Sequence, residues 1–369
     1  MKQEQISPFQ LTCLIGNFIF TGVLISVPQI LVEISKQNTW IVILFTYILT
    51  TTFFYLICRK PEKLEKLKSL FNIDKRTWIK KVFFSVLSMY LLFIYIRDFR
   101  AFTSFIDGIL LPDTPIDIIA LLTTLTLIYI SLTGIEVISR VTVIHFITIS
   151  IVVISLPFLL LNEIQLTNLF PFGGLHSGAE ILKSTYIFFP WMTEAIVIVF
   201  LFVFLHPISH LNKAGIIGIS CGFFLLFILI FLNITVLGVA ITSEATYPNI
   251  KLIQQINLTD FLDRLDLVIE VVWIPTMLCK LSLLLFALNR LFNTFRRKDS
   301  DFNLVPLALL LSLTIRLFKN NIDGIEYSFF TWPTKGLLLE LIIVFLFLIL
   351  KRGKSDKVKK MSKKYDGIN

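Results

Sequence analysis

Apolar residues in this chain come in long runs rather than in alternation. Stretches dominated by Ile, Leu, Phe and Val recur from Phe9 to Leu350, separated by short polar segments. A bilayer core takes about 20 apolar residues as helix. That ruler predicts spans at 9–34, 40–58, 80–102, 116–134, 141–161, 186–206, 215–241, 267–291, 303–318 and 334–350. The expected fold is therefore all-α and polytopic, with ten transmembrane helices in one transmembrane domain over 1–369. The last stretch, 351–369, reads as a basic cytoplasmic tail.

Polar and helix-loosening residues interrupt two of these runs. The first carries GNFIFTGVLISVP at 16–28, with Gly16, Asn17, Thr21, Gly22, Ser26 and Pro28 inside it. Backbone groups freed within a bilayer must face protein or a water-filled cavity. Transporters use such breaks at mid-membrane to hold a small charged ligand, whereas close helix packing through small residues needs no ligand. Thr21 and Gly22 stand about halfway through the span, and both explanations fit the first run by itself. The sixth run follows PFGGLHSGAE and contains FFPWMTE, with Pro190, Trp191, Thr193 and Glu194. Proline removes an N–H and kinks a helix, and an ionisable residue within a span marks a functional site by default. Were the span to start late, Pro190 and Glu194 would be only its outer cap. Breaks in spans one and six fit a five-plus-five inverted repeat, with 1–161 and 186–350 as its halves.

Composition supports the membrane assignment: 56 % of residues are hydrophobic and only 16 % charged. Soluble domains sit near a quarter charged. The net charge of +9 is concentrated in loops, with nine Lys and Arg in 59–81 and eight in 351–364. With the N-terminus inside, ten spans put 24 of the 34 Lys and Arg on the cytoplasmic side and nine outside, leaving Lys280 within a span. Both termini are thus expected in the cytoplasm. The basic segments are explained by orientation and by anionic headgroups, so membrane lipids rather than nucleic acid are the expected partners. The first run lacks a small-residue cleavage pattern and is expected to be retained.

Other charges suggest narrower roles. Glu136 and Arg140 are four residues apart on one helix face, fit for an orienting or gating pair. Arg97, Asp98 and Arg100 fall near the outer end of span three, where snorkelling explains much of their charge. Asp98 and Arg100 are also candidates for an outer gate. Lys280 lies about 15 Å of helix beyond Glu270, so it is expected near mid-membrane, paired or beside water. It could replace a coupling cation or carry a proton. His145 and His210 lack ligand-spaced companions, and the four cysteines show no paired spacing. Neither a nucleophile–base arrangement nor a phosphate loop or metal cluster is visible, so no enzyme activity, cofactor or metal is expected.

Six segments in order along the chain carry a resemblance: SPFQ at 7–10, TGVLISVP at 21–28, FRAFTSFIDGILLPDTP at 99–115, GIEVISR at 134–140, YPNIKLIQQI at 247–256 and FLDRLDLVIEVVWIPTMLCK at 261–280. Together the chain resembles the B subunits of nutrient germinant receptors of bacterial endospores, within the amino acid–polyamine–organocation transporter superfamily. The resemblance implies a permease-like fold with a small-molecule site between spans one, three, six and eight. It implies nutrient sensing, often of an amino acid, in the inner membrane of the spore, with an A subunit and a C-subunit lipoprotein as partners. By the same resemblance Thr21, Gly22, Ile94, Trp191, Thr193, Glu194 and Cys279 match ligand-site positions, and Lys280 the bordering ligand or cation site. Thr21-Gly22-Val23 departs from the Gly-x-Gly of many members, and Thr193 stands where a Gly often precedes the glutamate. A proton-coupled amino acid permease has the same sequence features and remains the alternative.

Overall fold

The computed structural model describes residues 4–24, 27–59, 78–171, 177–195, 203–256, 266–296, 303–318 and 320–365. Among them the chain is helical, apart from an isolated parallel bridge between Ile6 and Leu205. The helices are α1 Pro8–Val23, α2 Val27–Ser35, α3 Thr39–Cys58, α4 Trp78–Phe105, α5 Ile116–Leu132, α6 Ile135–Leu159 and α7 Ser177–Thr193. They continue as α8 Leu211–Leu232, α9 Gly238–Glu244, α10 Pro248–Ile253, α11 Asp266–Arg296, α12 Leu304–Ser312, α13 Asn321–Glu326 and α14 Trp332–Tyr365. Among the described residues six helical stretches are long and apolar enough to cross a membrane: 27–58, 78–110, 135–159, 208–244, 272–294 and 322–351. Pro8–Val23, Ile116–Leu132 and Leu304–Leu317 are shorter apolar helices.

Where the chain departs from the expected spans, local chemistry explains it. Ser7 opens α1 with a capping box: its hydroxyl accepts from Gln10 N, the Gln10 side chain accepts from Ser7 N, and Pro8 follows at the first helical position. The first expected span is two helices, α1 and α2, with Leu24 outside both. Span six starts at Ser177, nine residues earlier than hydropathy placed it, because the polar SGAE turn is part of the helix. Pro190 therefore lies inside α7, and the regular helix ends at Thr193, just before Glu194. Glu194 is fully buried, so it is no outer cap. Ser26, most of the basic loop at 59–81 and the start of the 261–280 segment lie outside the described residues.

Three five-residue π turns occur in the long helical stretches: Ile106–Leu110 ends the one begun by α4, while Asn233–Leu237 and Tyr327–Thr331 join α8 to α9 and α13 to α14. All three lie toward the same end of the bundle. The end that bears the termini has its own fastenings. There Glu4 pairs with Arg290 at 2.9 Å, and Lys351 Nζ donates to the carbonyls of Ile57 and Arg59.

Packing centres on α1, which lies against α8, α6 and α11, while α4 packs on α11 and α14, and α7 on α3, α14 and α2. Glycines let α8 approach α1 closely: a Cβ at Gly218 would come within 2.6 Å of the Thr12 carbonyl, and one at Gly222 within 3.0 Å of the Gly16 carbonyl. A Cβ at Gly16 would itself strike the Phe146 ring. Part of the glycine content of the first span thus serves packing. On the outside, Leu121, Leu125, Tyr129, Ile151, Phe158 and Phe345 stand exposed on α5, α6 and α14. An apolar exterior around buried polar residues is the inverse of a soluble domain, and bilayer is the solvent that suits it.

Candidate ligand site and its buried ion cluster

Four buried charges meet where the helix-one break, α4, α7 and α11 converge. Arg97 and Asp98 come from the interior of α4, Glu194 from just past α7, and Lys280 from the middle of α11. Arg97 forks onto Glu194, with Nη1–Oε1 at 2.5 Å and Nη2–Oε2 at 2.9 Å. The same guanidinium donates Nε and Nη2 to Asp98 Oδ1 at 2.9 and 2.6 Å. Lys280 Nζ lies 2.8 Å from Asp98 Oδ2 and 3.7 Å from Glu194 Oε2. Two cations and two carboxylates make a neutral quartet, which is how a low-dielectric interior tolerates charge. A planar guanidinium suits the central position because it can fork onto carboxylates while stacking on aromatic faces. The Arg97 guanidinium carbon sits 3.7 Å from the centre of the Trp191 ring and 4.9 Å from that of Trp332, and Lys280 Nζ lies 4.4 Å from that of Phe18. Trp332 Nε1 donates to Glu194 Oε1 at 2.9 Å.

The break in the first span is stitched to its neighbours through carbonyls. Trp273 Nε1 donates to the Thr21 carbonyl at 3.2 Å, and Asn249 Nδ2 donates to the Leu24 carbonyl. Asn249 is held in turn by Asn233 Nδ2 at 2.7 Å. Thr21 Oγ1 donates to Asn17 Oδ1 at 3.0 Å, and Asn17 Nδ2 donates to the Thr276 carbonyl at 3.1 Å. Side chains from α10 and α11 thus take the acceptors that a continuous helix would have used itself.

A third carboxylate adjoins the quartet. Glu340, buried in α14, accepts from the Tyr90 hydroxyl through Oε1, and its Oε2 lies 2.6 Å from Thr193 Oγ1. Tyr90 stacks on Trp332, with ring centres 5.7 Å apart. Tyr90, Ile94 and Arg97 share one face of α4 by their spacing, and Ile94 is fully buried there.

Of the residues singled out from sequence, Trp191, Thr193, Glu194 and Lys280 come together with Asp98, and Gly22 abuts them because a Cβ there would run into Lys280 Nζ. Thr21, the residue before Gly22, turns its hydroxyl to Asn17 instead. Cys279 is buried beside Thr142 of α6, so it lies behind Lys280 and apart from the ion cluster. Asp98 turns inward to Arg97 and Lys280, whereas Arg100 Nη1 donates to the Ile315 carbonyl at 3.4 Å and has Asp107 and Asp323 as electrostatic neighbours. The expected outer gate of Asp98 with Arg100 is thereby divided between two places, because residues two apart on a helix point about 200° away from each other. Glu136 and Arg140 face each other at 3.8 Å with exposed side chains, and Glu136 Oε1 also accepts from Gln5 N at 2.8 Å. Among the described residues no group of acidic, His and Cys side chains has the makings of a metal site.

A cavity of about 550 Å³ opens at the end opposite the termini, lined in part by Arg100, Asp107, Asp117, Arg316 and Phe318. Beneath it a narrow space of about 40 Å³ reaches Arg97, bordered by Arg100, Ser104, Tyr247 and Phe329. The two share Arg100 and Phe318 as lining. Burial, with Asp107 nearby, pushes the Tyr247 hydroxyl above the usual tyrosine range, so it stays a neutral donor and acceptor beside this path.

A helical membrane bundle with broken helices and a buried polar centre is the architecture of secondary transporters. The solved structures agree in fold. A nucleobase–cation–symport-1 family transporter, in a closed conformation with bromovinylhydantoin bound, aligns over 95 % of this chain and 80 % of its own, with a TM-score of 0.57 and 14 % identity. A Na⁺-coupled sialic acid symporter in its substrate-bound outward-open state aligns over 91 % and 78 %, with a TM-score of 0.50 and 12 % identity. Sequence then fixes the family. Residues 5–323 match the spore permease model, described as spore germination protein. "Putative spore germination protein YfkT" of Bacillus subtilis (strain 168) is 32 % identical over 69 % of this chain and 70 % of its own. "Spore germination protein KB" of the same organism is 26 % identical over 85 % and 86 %. The chain belongs to the spore germination permease family, that of the germinant receptor B subunits, and is an integral membrane protein with a transporter fold.

Proposed function

We propose that this chain is the nutrient-sensing membrane subunit of a spore germinant receptor, acting with A and C subunits in the inner membrane of the spore, both termini cytoplasmic. The observation that carries this is the Arg97–Glu194 fork, which sits beside both helix breaks and at the foot of the path from the opposite end. In this state the four buried charges are paired with one another. A ligand with an ammonium and a carboxylate, such as an amino acid, offers each member of the fork a substitute partner. It enters by exchanging places with an internal ion pair, so binding and rearrangement are one event, as a sensor requires. Thr21, Gly22, Ile94, Trp191, Thr193 and Glu194 then line or border the ligand, with Lys280 as a fixed cation at the first break.

The test uses spores whose only germinant receptor contains this subunit, exposed to a nutrient panel while calcium–dipicolinate release is followed. Arg97→Lys keeps the charge but loses the fork. A response to one nutrient class that is lost or retuned in Arg97→Lys and weakened in Thr21→Val, at unchanged protein level, supports the site. Equal potency in both variants removes the ligand from this centre. A permease that carries its ligand across is the second reading, favoured by Lys280 standing as a built-in cation at the helix-one break. Uptake of labelled amino acid into vesicles containing the protein would establish it.

A further inference from the structure

We propose that Glu340 is a proton-binding site, a neutral carboxylic acid built into the wall of the ion cluster. The first argument is charge. Arg97 and Lys280 are both engaged by Asp98 and Glu194, and together these four are neutral. Glu340 makes no ion pair among the described residues, although it is only 3 % exposed. An ionised Glu340 would leave the interior with one uncompensated negative charge, which a low-dielectric interior strongly disfavours. Proton uptake removes that charge.

The second argument is where each hydrogen goes. A threonine hydroxyl has one proton. Thr193 Oγ1 lies 2.9 Å from the Phe189 carbonyl and 3.3 Å from the Pro190 carbonyl, both of which can only accept. With its proton given to Phe189, Thr193 Oγ1 has a lone pair facing Glu340 Oε2 at 2.6 Å. A protonated Glu340 fills that contact as donor, while its carbonyl oxygen, Oε1, accepts from Tyr90. Every donor then has an acceptor. An ionised Glu340 has to take the Thr193 proton away from the helix carbonyl instead.

The titratable and charged groups facing Glu340 are Tyr90 and Arg97 from α4 and Glu194 beyond α7, with Thr193 of α7 in contact. Of these only Arg97 is a cation, and Glu194 and Asp98 hold it. Proton loss from Glu340 would therefore set a third carboxylate in competition for the same guanidinium. If the ligand also acts by displacing Arg97, as proposed above, proton and nutrient address one switch.

The proton can be read without any nutrient. The full-length protein in lipid nanodiscs is measured by infrared spectroscopy in the region of the carboxylic-acid C=O stretch at neutral pH. The expected result is a protonated-carboxyl band that Glu340→Gln abolishes. Tyr90→Phe, which strips the donor from the carbonyl oxygen, moves the same band to higher wavenumber and keeps the acid in place. A wild-type protein without such a band, or a band that persists in Glu340→Gln, overturns the proposal. Should Glu340→Gln fail to fold, an unmoved band in Tyr90→Phe overturns it equally. These outcomes are independent of whether the chain senses or transports.

Discussion

Replacing Lys280 by methionine removes one of the two cations of the quartet while nearly preserving side-chain length. What remains is Arg97 facing both Asp98 and Glu194, so the buried cluster passes from neutral to one net negative charge. Breaking a buried ion pair by deleting one partner costs about 3–5 kcal/mol, because the surviving charge is left without compensation. Some of that is returned, since an isolated mid-span lysine costs roughly 2.5–3.5 kcal/mol on insertion scales. Here the return is small, because Lys280 is already paired at 2.8 Å and lies over the Phe18 ring. A net loss of about 2–4 kcal/mol is expected, which lowers the folded-to-unfolded ratio by roughly 30- to 1000-fold. The assay is thermal unfolding of the detergent-solubilised full-length protein, with its abundance in the membrane as a second readout. Adding Asp98→Asn to Lys280→Met restores neutrality around Arg97 and Glu194, so the double variant should recover at least about 1 kcal/mol over the single one. A single variant as stable as the parent, or a double variant less stable than the single one, would refute the neutral-quartet argument.

Further expectations follow from packing and from the stitched break. Gly222→Leu has to push α8 off the Gly16 carbonyl and should lower abundance sharply, whereas Gly108→Ala, with open space around its position, should not, as a membrane immunoblot would show. Trp273→Phe leaves the Thr21 carbonyl without its indole donor, an expected loss of about 1–3 kcal/mol in the same unfolding assay. Arg316→Gln breaks an exposed pair with Asp117 and should leave the melting temperature unchanged. If the cavity at that end is the entry, the same change shifts nutrient potency in spores.

The helical membrane fold was legible because runs of Ile, Leu and Phe carry it, and the breaks in spans one and six because Thr21-Gly22 and the Pro190–Glu194 stretch stand out against those runs. Hydropathy says less about where a helix starts, so the predicted span begins at 186 although α7 opens with a polar turn at Ser177. Arg97 was placed at a snorkelling position because a window ending at residue 102 hides the fact that α4 continues to Phe105 and its π turn. That continuation carries Arg97 into the bundle. Glu340 went unremarked within LLLELIIVFLFLIL, although a lone carboxylate in such a run raises the same question as Lys280. Trp273 and Asn249 stand in the sequence only as members of the resembling segments 261–280 and 247–256, since nothing local says that an indole or amide will cap a carbonyl on another helix. Pairing across helices is a property of the assembled bundle, and one-dimensional spacing does not contain it.

The π turn at Tyr327–Thr331 has a mechanical meaning beyond its shape. It stores one surplus residue directly before Trp332, which donates to Glu194 and stacks on Tyr90. An α-helix advances about 100° per residue, so passing the surplus along the helix by one turn screws the intervening side chains round by that angle without undoing the helix. Moved past Trp332, that surplus residue would turn the indole away from Glu194 and leave the part of α14 that bears Lys351 in place.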